Sequence, residues 1–246
     1  MKTASDIERD TIREEAIGVI AEALSIQGHV QRGIQLTETI QRNWLAKTLG
    51  LLAIAKAQRK AGEFTEAAQR VDQAADLFVK EVSDSPLQFK WDHIIVVEQL
   101  IEAGNLKKAT EAAEAQKLAP VKAQALARVA EAYAKSGDRV TAQKLLGQAL
   151  GLGGDHGFVL GQIAQSYAKI GDVPVALKAV KKIPREFDRS YALERIADIQ
   201  TQRGDHKEAL KWGNGLRSPY LKSSALLGIA VGILHKFGID VHPSVW

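Results

Sequence analysis

The chain has 246 residues, 46% hydrophobic and 25% charged, with a formal net charge of +4 and a pI near 9.2. No stretch approaches the roughly 20 consecutive apolar residues that span a bilayer, and the polar, mixed-charge opening over residues 1–10 lacks the apolar core of a secretory signal. Without cysteine there are no disulfides, thiolate metal sites or thiol nucleophiles, and the charge falls well short of the dense Lys/Arg clustering of a dedicated nucleic-acid binder. A folded cytoplasmic protein is the expectation.

Residues 1–13 read as an N-terminal segment. From there one element recurs: an Ile or Val, then Ala, then a Gly eight residues after the β-branched residue. Ile20-Ala21 with Gly28 is the first copy and Ile54-Ala55 with Gly62 the second, together filling residues 14–81. Roughly eight extra residues follow near positions 76–92, including Ser83, Ser85 and Pro86; they predict a lengthened helix and a joint over 82–89. Residues 90–222 hold a weaker copy, Val96-Val97 with Gly104, then Val129-Ala130 with Gly137, Ile163-Ala164 with Gly171 and Ile196-Ala197 with Gly204. Ile229-Ala230 with Phe237-Gly238 closes the series; residues 223–246 read as a capping helix and a tail, with Trp246 folded back onto it. With Phe237 counted as the final stand-in for glycine, the steps are 34, 42, 33, 34, 33 and 33 residues. Such a period marks stacked helical units, with atypical ones at the ends.

Residues 123–155 show what one unit contains. Leu126, Val129, Ala130 and Tyr133 share one helix face. Gly137 ends that helix, and Asp138 caps a second whose apolar stripe is Ala142, Leu145, Leu146 and Ala149. Small residues recur five after each glycine, from Gly33 and Ala67 to Ala176 and Ala209, so two antiparallel helices can approach closely. Eleven before the glycine the column is apolar except at His93. The expected fold is therefore all-α, an α-solenoid of about six helical hairpins plus a capping helix.

These residues resemble the tetratricopeptide repeat. Leu126, Val129-Ala130, Tyr133, Gly137-Asp138, Ala142 and Ala149 follow its order, as do Leu160, Ile163-Ala164, Tyr167, Gly171-Asp172 and Ala176. Divergence shows in Ile183 and Gln200, which replace an Ala and a Tyr, and in the missing large leading Trp. The resemblance spans about residues 14–240 and implies a non-catalytic scaffold that holds a peptide or partner protein in a concave groove lined by the first helix of each unit. The Lys and Asn of the family's carboxylate clamp are missing here, so chaperone tails are not the expected partner.

Two columns supply candidate groove residues. Thirteen before the glycine lie Glu15, Leu49, Trp91, Gln124, Phe158, Tyr191 and Ser224, whose three aromatics suit peptide anchoring. Six before it lie Glu22, Lys56, Glu98, Glu131, Gln165, Asp198 and Val231, a largely acidic ladder. Arg128 and Arg195 stand three residues before Glu131 and Asp198, at pairing distance on the same face. Lys56 and Arg59, with Lys60, form a basic patch.

Other features read as structural. Lys178, Lys181, Lys182 and Arg185 form a solvated helix end. The glycine-rich stretch over 151–157 lacks the Lys-Ser/Thr ending of a phosphate loop and reads as a turn, with Asp155 capping the next helix. His235, Asp240 and His242 have no regular metal-ligand spacing. No nucleophile–base constellation is present, so neither an enzyme, a metal nor a cofactor is expected. The alternatives are a single-stranded RNA binder and a self-assembling repeat protein. Against base readout, the column nine before the glycine (Val19, Ala53, Ile95, Arg128, Gln162, Arg195, Gly228) carries no recurring Asn, Ser or Thr.

Overall fold

The computed structural model describes residues 4–84 and 92–239. Among them are thirteen α-helices and no strand. The chain divides into two compact units, Met1–Val121 and Lys122–Trp246. The first holds α1 (Ala4–Ile26), α2 (Val30–Glu38), α3 (Trp44–Ala61), α4 (Phe64–Asp84), α5 (Asp92–Glu102) and α6 (Leu106–Glu114). Next come α7 (Ala119–Lys135), α8 (Arg139–Leu152), α9 (Gly157–Ile170) and α10 (Val173–Val180), then α11 (Glu186–Gln202), α12 (His206–Asn214) and α13 (Pro219–Lys236). The division falls near the start of α7, away from the joint read at 82–89; residues 85–91, with Trp91, lie outside the described part. So do residues 240–246, and with them the reading of Trp246 as folded back. No helix among the described residues is long and apolar enough to cross a membrane.

Within the first unit, α1 packs on α2 and α3, α3 on α4 and α5, and α5 on α6. Within the second, α9 packs on α8, α10 and α11, and α11 on α12 and α13. The small residues read from the sequence sit at these crossings: Ala67, Ala109, Ala142, Ala176 and Ala209 are all buried. His93 in the leucine column is also buried, its ring 5.5 Å from those of Trp44 and Phe78 and its Nδ1 3.0 Å from Gln116 Oε1.

The punctuating glycines take the left-handed backbone that side chains resist, as at Gly62 (φ 85°) and Gly171 (φ 91°), where the chain leaves α3 and α9. The last member of the series is Gly238 (φ 74°), because Phe237 has an ordinary φ of −91°. The final step is therefore 34 residues, one longer than the sequence register gave.

Asp138 accepts the Thr141 N–H at 3.0 Å and Asp172 the Val175 N–H at 3.3 Å, capping α8 and α10 as their positions predict. Asn43 and Asn105 do the same for α3 and α6. Asp155 does not cap α9: the helix starts at Gly157, so the cap position falls on His156, which makes no side-chain cap bond. The second-helix insertion lengthens α4 to 21 residues against nine in α2 and α6.

At the start of the chain, residues 4–13 form the first turns of α1. Glu14 on α1 accepts the N–H groups of Gln41, Arg42 and Asn43 at 3.1, 2.8 and 2.6 Å, at the entry to α3. Desolvation pushes the Glu14 pKa up, but these three donors and the Arg42 charge outweigh it and hold the pKa below its ordinary value. At the other end α13 packs on α11, and two of its glycines meet the α11 backbone directly. A Cβ on Gly228 would strike the backbone of Glu194, and one on Gly232 would lie 2.8 Å from Asp198 O.

Candidate functional site

Each unit has a groove across three alternate helices. In the first unit a cavity of about 240 Å³ lies between α1, α3 and α5; Ile26, Lys60 and Glu102 line it from the last turns of those helices, beside Glu22, Lys56 and Arg59. In the second, a cavity of about 590 Å³ lies between α7, α9 and α11, with Arg139 at the start of α8 completing its rim. Its apolar walls are Ala134, Ile170 and Ile199; around them stand Glu131, Lys135, Lys169, Arg195, Gln202 and Arg203. That volume lies within the range of small-ligand and peptide clefts.

The residues two before the first six glycines each line a groove: Ile26, Lys60 and Glu102 in the first, Lys135, Lys169 and Gln202 in the second; Lys236, two before Gly238, lines neither. The sequence reading missed this column, although the same offset counting that gave the other two would have found it. Of the six-before column, Glu22, Lys56 and Glu131 line the grooves. Of the thirteen-before column, Phe158 and Tyr191 line neither; they stand 61% and 49% exposed near the starts of α9 and α11. Eleven residues separate these aromatics from the two-before column, about three helical turns or ~16 Å along the same face. The face is shared, but the cavity sits at its C-terminal end.

Side-chain pairing orders the second groove. Glu131 accepts from Ser166 Oγ at 2.5 Å and pairs with Lys169 at 2.8 Å, tying α7 to α9. Arg203 donates to Lys169 O at 2.7 Å, tying α11 to the open C-terminal carbonyls of α9. Arg195 pairs with Asp198 at 2.9 Å, as their spacing predicts. Asp198 itself is 1% exposed, so a partner in the groove meets the guanidinium and not this carboxylate. Gln202 Nε2 donates to Asp198 at 2.6 Å, and His235 Nδ1 of α13 lies 3.1 Å from it, so with Arg195 this buried carboxylate has polar partners on three sides. Burial holds the neighbouring Glu194 carboxyl above its ordinary pKa; the Arg195 charge opposes that shift and the Asp198 charge adds to it.

In the first groove Lys56 pairs with Glu102 at 3.2 Å, and Arg59 donates to Ala103 O at the end of α5. Arg59 thus does for α5 what Arg203 does for α9. The other sequence candidates, Glu98, Gln165 and Arg128, are half-buried and line neither groove. Among the described residues no cluster of three His, Asp or Glu could hold a metal ion. Compared with known proteins, the chain matches no family model and no curated protein.

Proposed function

We propose that the chain is a non-catalytic scaffold, an α-solenoid of divergent tetratricopeptide-like hairpins, that holds a peptide segment or partner protein along its first helices. The observation that carries this reading is the repeated groove: in each unit the last turns of three alternate helices enclose a cavity lined by one sequence column. Helical repeat proteins bind extended partners on such surfaces. The exposed Phe158 and Tyr191 add rigid aromatic area to the same face.

Affinity capture from native lysate, with and without nuclease, tests the reading. The wild type is compared with Ala134→Tyr, which fills the second groove, and with Phe158→Ala/Tyr191→Ala. A protein recovered despite nuclease and lost with Ala134→Tyr is the expected result. Recovery that needs intact nucleic acid, or that ignores both variants, refutes it. Self-association is a second reading, favoured by the exposed Leu226, Leu227 and Ile233 of α13; a molar mass that rises with concentration in light scattering would support it.

A further inference from the structure

We infer that the groove of the second unit selects an acidic peptide segment, an inference that rests on the groove-binding reading above. Five cationic side chains line this groove against a single carboxylate, Glu131. Three of the five are engaged: Lys169 with Glu131, Arg195 with Asp198, and Arg203 with Lys169 O. Lys135 and Arg139 are exposed, and among the described residues neither forms an ion pair with a carboxylate. The imbalance extends beyond the groove. Lys122–Trp246 carries 18 Lys/Arg against 11 Asp/Glu, a net +7, whereas Met1–Val121 carries 15 against 18, a net −3. A concave site lined by one sign of charge draws in the opposite sign, and planar guanidinium groups suit carboxylates in particular.

The walls favour a peptide over a nucleic acid. None of the residues lining the cavity is aromatic, and the exposed Phe158 and Tyr191 stand about three helical turns (~16 Å) away, so the cavity itself offers unstacked bases no platform. Ala134, Ile170 and Ile199 provide apolar contact between the cations, which matches a chain that alternates carboxylate and aliphatic side chains and not a continuous run of phosphates.

The test is fluorescence anisotropy on the full chain with three labelled probes: repeats of Glu-Leu-Gly, the same peptide with Gln for Glu, and single-stranded oligothymidine of matched length. The Glu peptide binds about tenfold more tightly than the Gln peptide at low salt. Lys135→Glu/Arg139→Glu abolishes that preference, while Lys178→Glu/Lys181→Glu, which makes the same charge change outside the groove, keeps it. Equal loss in both variants overturns the proposal, because the attraction is then net charge and not this site. Glu and Gln peptides that bind equally, both displaced by Ala134→Tyr, overturn the charge selection but leave the groove reading standing. If neither peptide binds, both fall. Oligothymidine that binds more tightly than the Glu peptide, and is lost with Lys135→Glu/Arg139→Glu, makes the groove a phosphate-backbone site.

Discussion

Replacing Gly228 with alanine sets a helix-propensity gain against a backbone clash, and the structure says the clash wins. An ideal Cβ on Gly228 would run into the Glu194 carbonyl oxygen and lie 2.7 Å from Glu194 C and 2.9 Å from its Cα, where ordinary contact begins near 3.4 Å. The atoms struck are backbone, so no rotamer change relieves them, and the clash with the Glu194 carbonyl oxygen forces α13 to withdraw from α11 by about 1 Å or more. Withdrawal also loosens the approach of Gly232 to Asp198 O and Thr201, and the reach of His235 to Asp198. Overpacking of this kind costs about 2–3 kcal/mol, while Gly→Ala within a helix returns about 1 kcal/mol. The expected net loss is about 1–2 kcal/mol, or a fall of roughly 0.5–1 M in the urea midpoint of the second unit, followed by far-UV circular dichroism. Gly147→Ala is the internal control: it lies mid-helix in α8 with nothing within 4 Å of its would-be Cβ. It alters the unfolded chain equally, so the difference between the two variants isolates the contact, and it should stabilise by up to about 1 kcal/mol. Gly228→Ala matching Gly147→Ala, or exceeding wild type, would refute the close packing of α13 on α11.

Glu14→Gln removes a charged acceptor from the entry to α3 and costs about 1 kcal/mol at neutral pH, in a setting open enough for solvent to screen it. Because the folded state lowers the Glu14 pKa, that stability is present above the unfolded-state pKa and disappears as pH falls through the folded one. Urea melts of the two proteins should therefore converge in acid, and a gap that persists there contradicts the carboxylate's role. Asp198→Asn leaves Arg195 and His235 facing a neutral group in a buried setting and should cost about 2–4 kcal/mol by chemical denaturation. Asn105→Ala removes the cap on Lys108 N–H and should cost about 1 kcal/mol, with Asn105→Asp retaining stability in thermal melts.

Features set by local sterics were legible in the sequence. A glycine that ends a helix, an alanine at a crossing and an aspartate at a helix start each leave a mark within a few residues of the geometry they cause. The Glu14 contacts were not, because the N–H groups it accepts lie 27 to 29 residues away and nothing near Glu14 distinguishes it from a surface acid. The same holds for His235, whose contact with Asp198 spans 37 residues and depends on two glycines bringing α13 close. Asp155 shows the opposite failure, a correct residue type displaced by one position when the preceding turn runs to His156.

The groove was half legible, and helix geometry explains which half. Columns thirteen, six and two before the glycine are spaced i, i+7, i+11, so they form one stripe along each first helix. Reading the first two identified the face; only the packed helices show where along that face the cavity opens, because depth depends on how neighbouring helices diverge and not on any one sequence. Once the cavity is placed at the last turns, the two-before column supplies part of its chemistry, beside Arg139, Arg195 and Arg203 in the second groove. Ile26, Lys60 and Glu102 give the first groove an apolar contact and one charge of each sign, while Lys135, Lys169 and Gln202 give the second a cationic lining. On the groove-binding proposal, a segment suited to one groove is therefore mismatched to the other. On the acidic-peptide proposal, exchanging residues of that column, all of them exposed, should weaken the second groove's preference for Glu over Gln peptides without abolishing it, since Arg139, Arg195 and Arg203 remain.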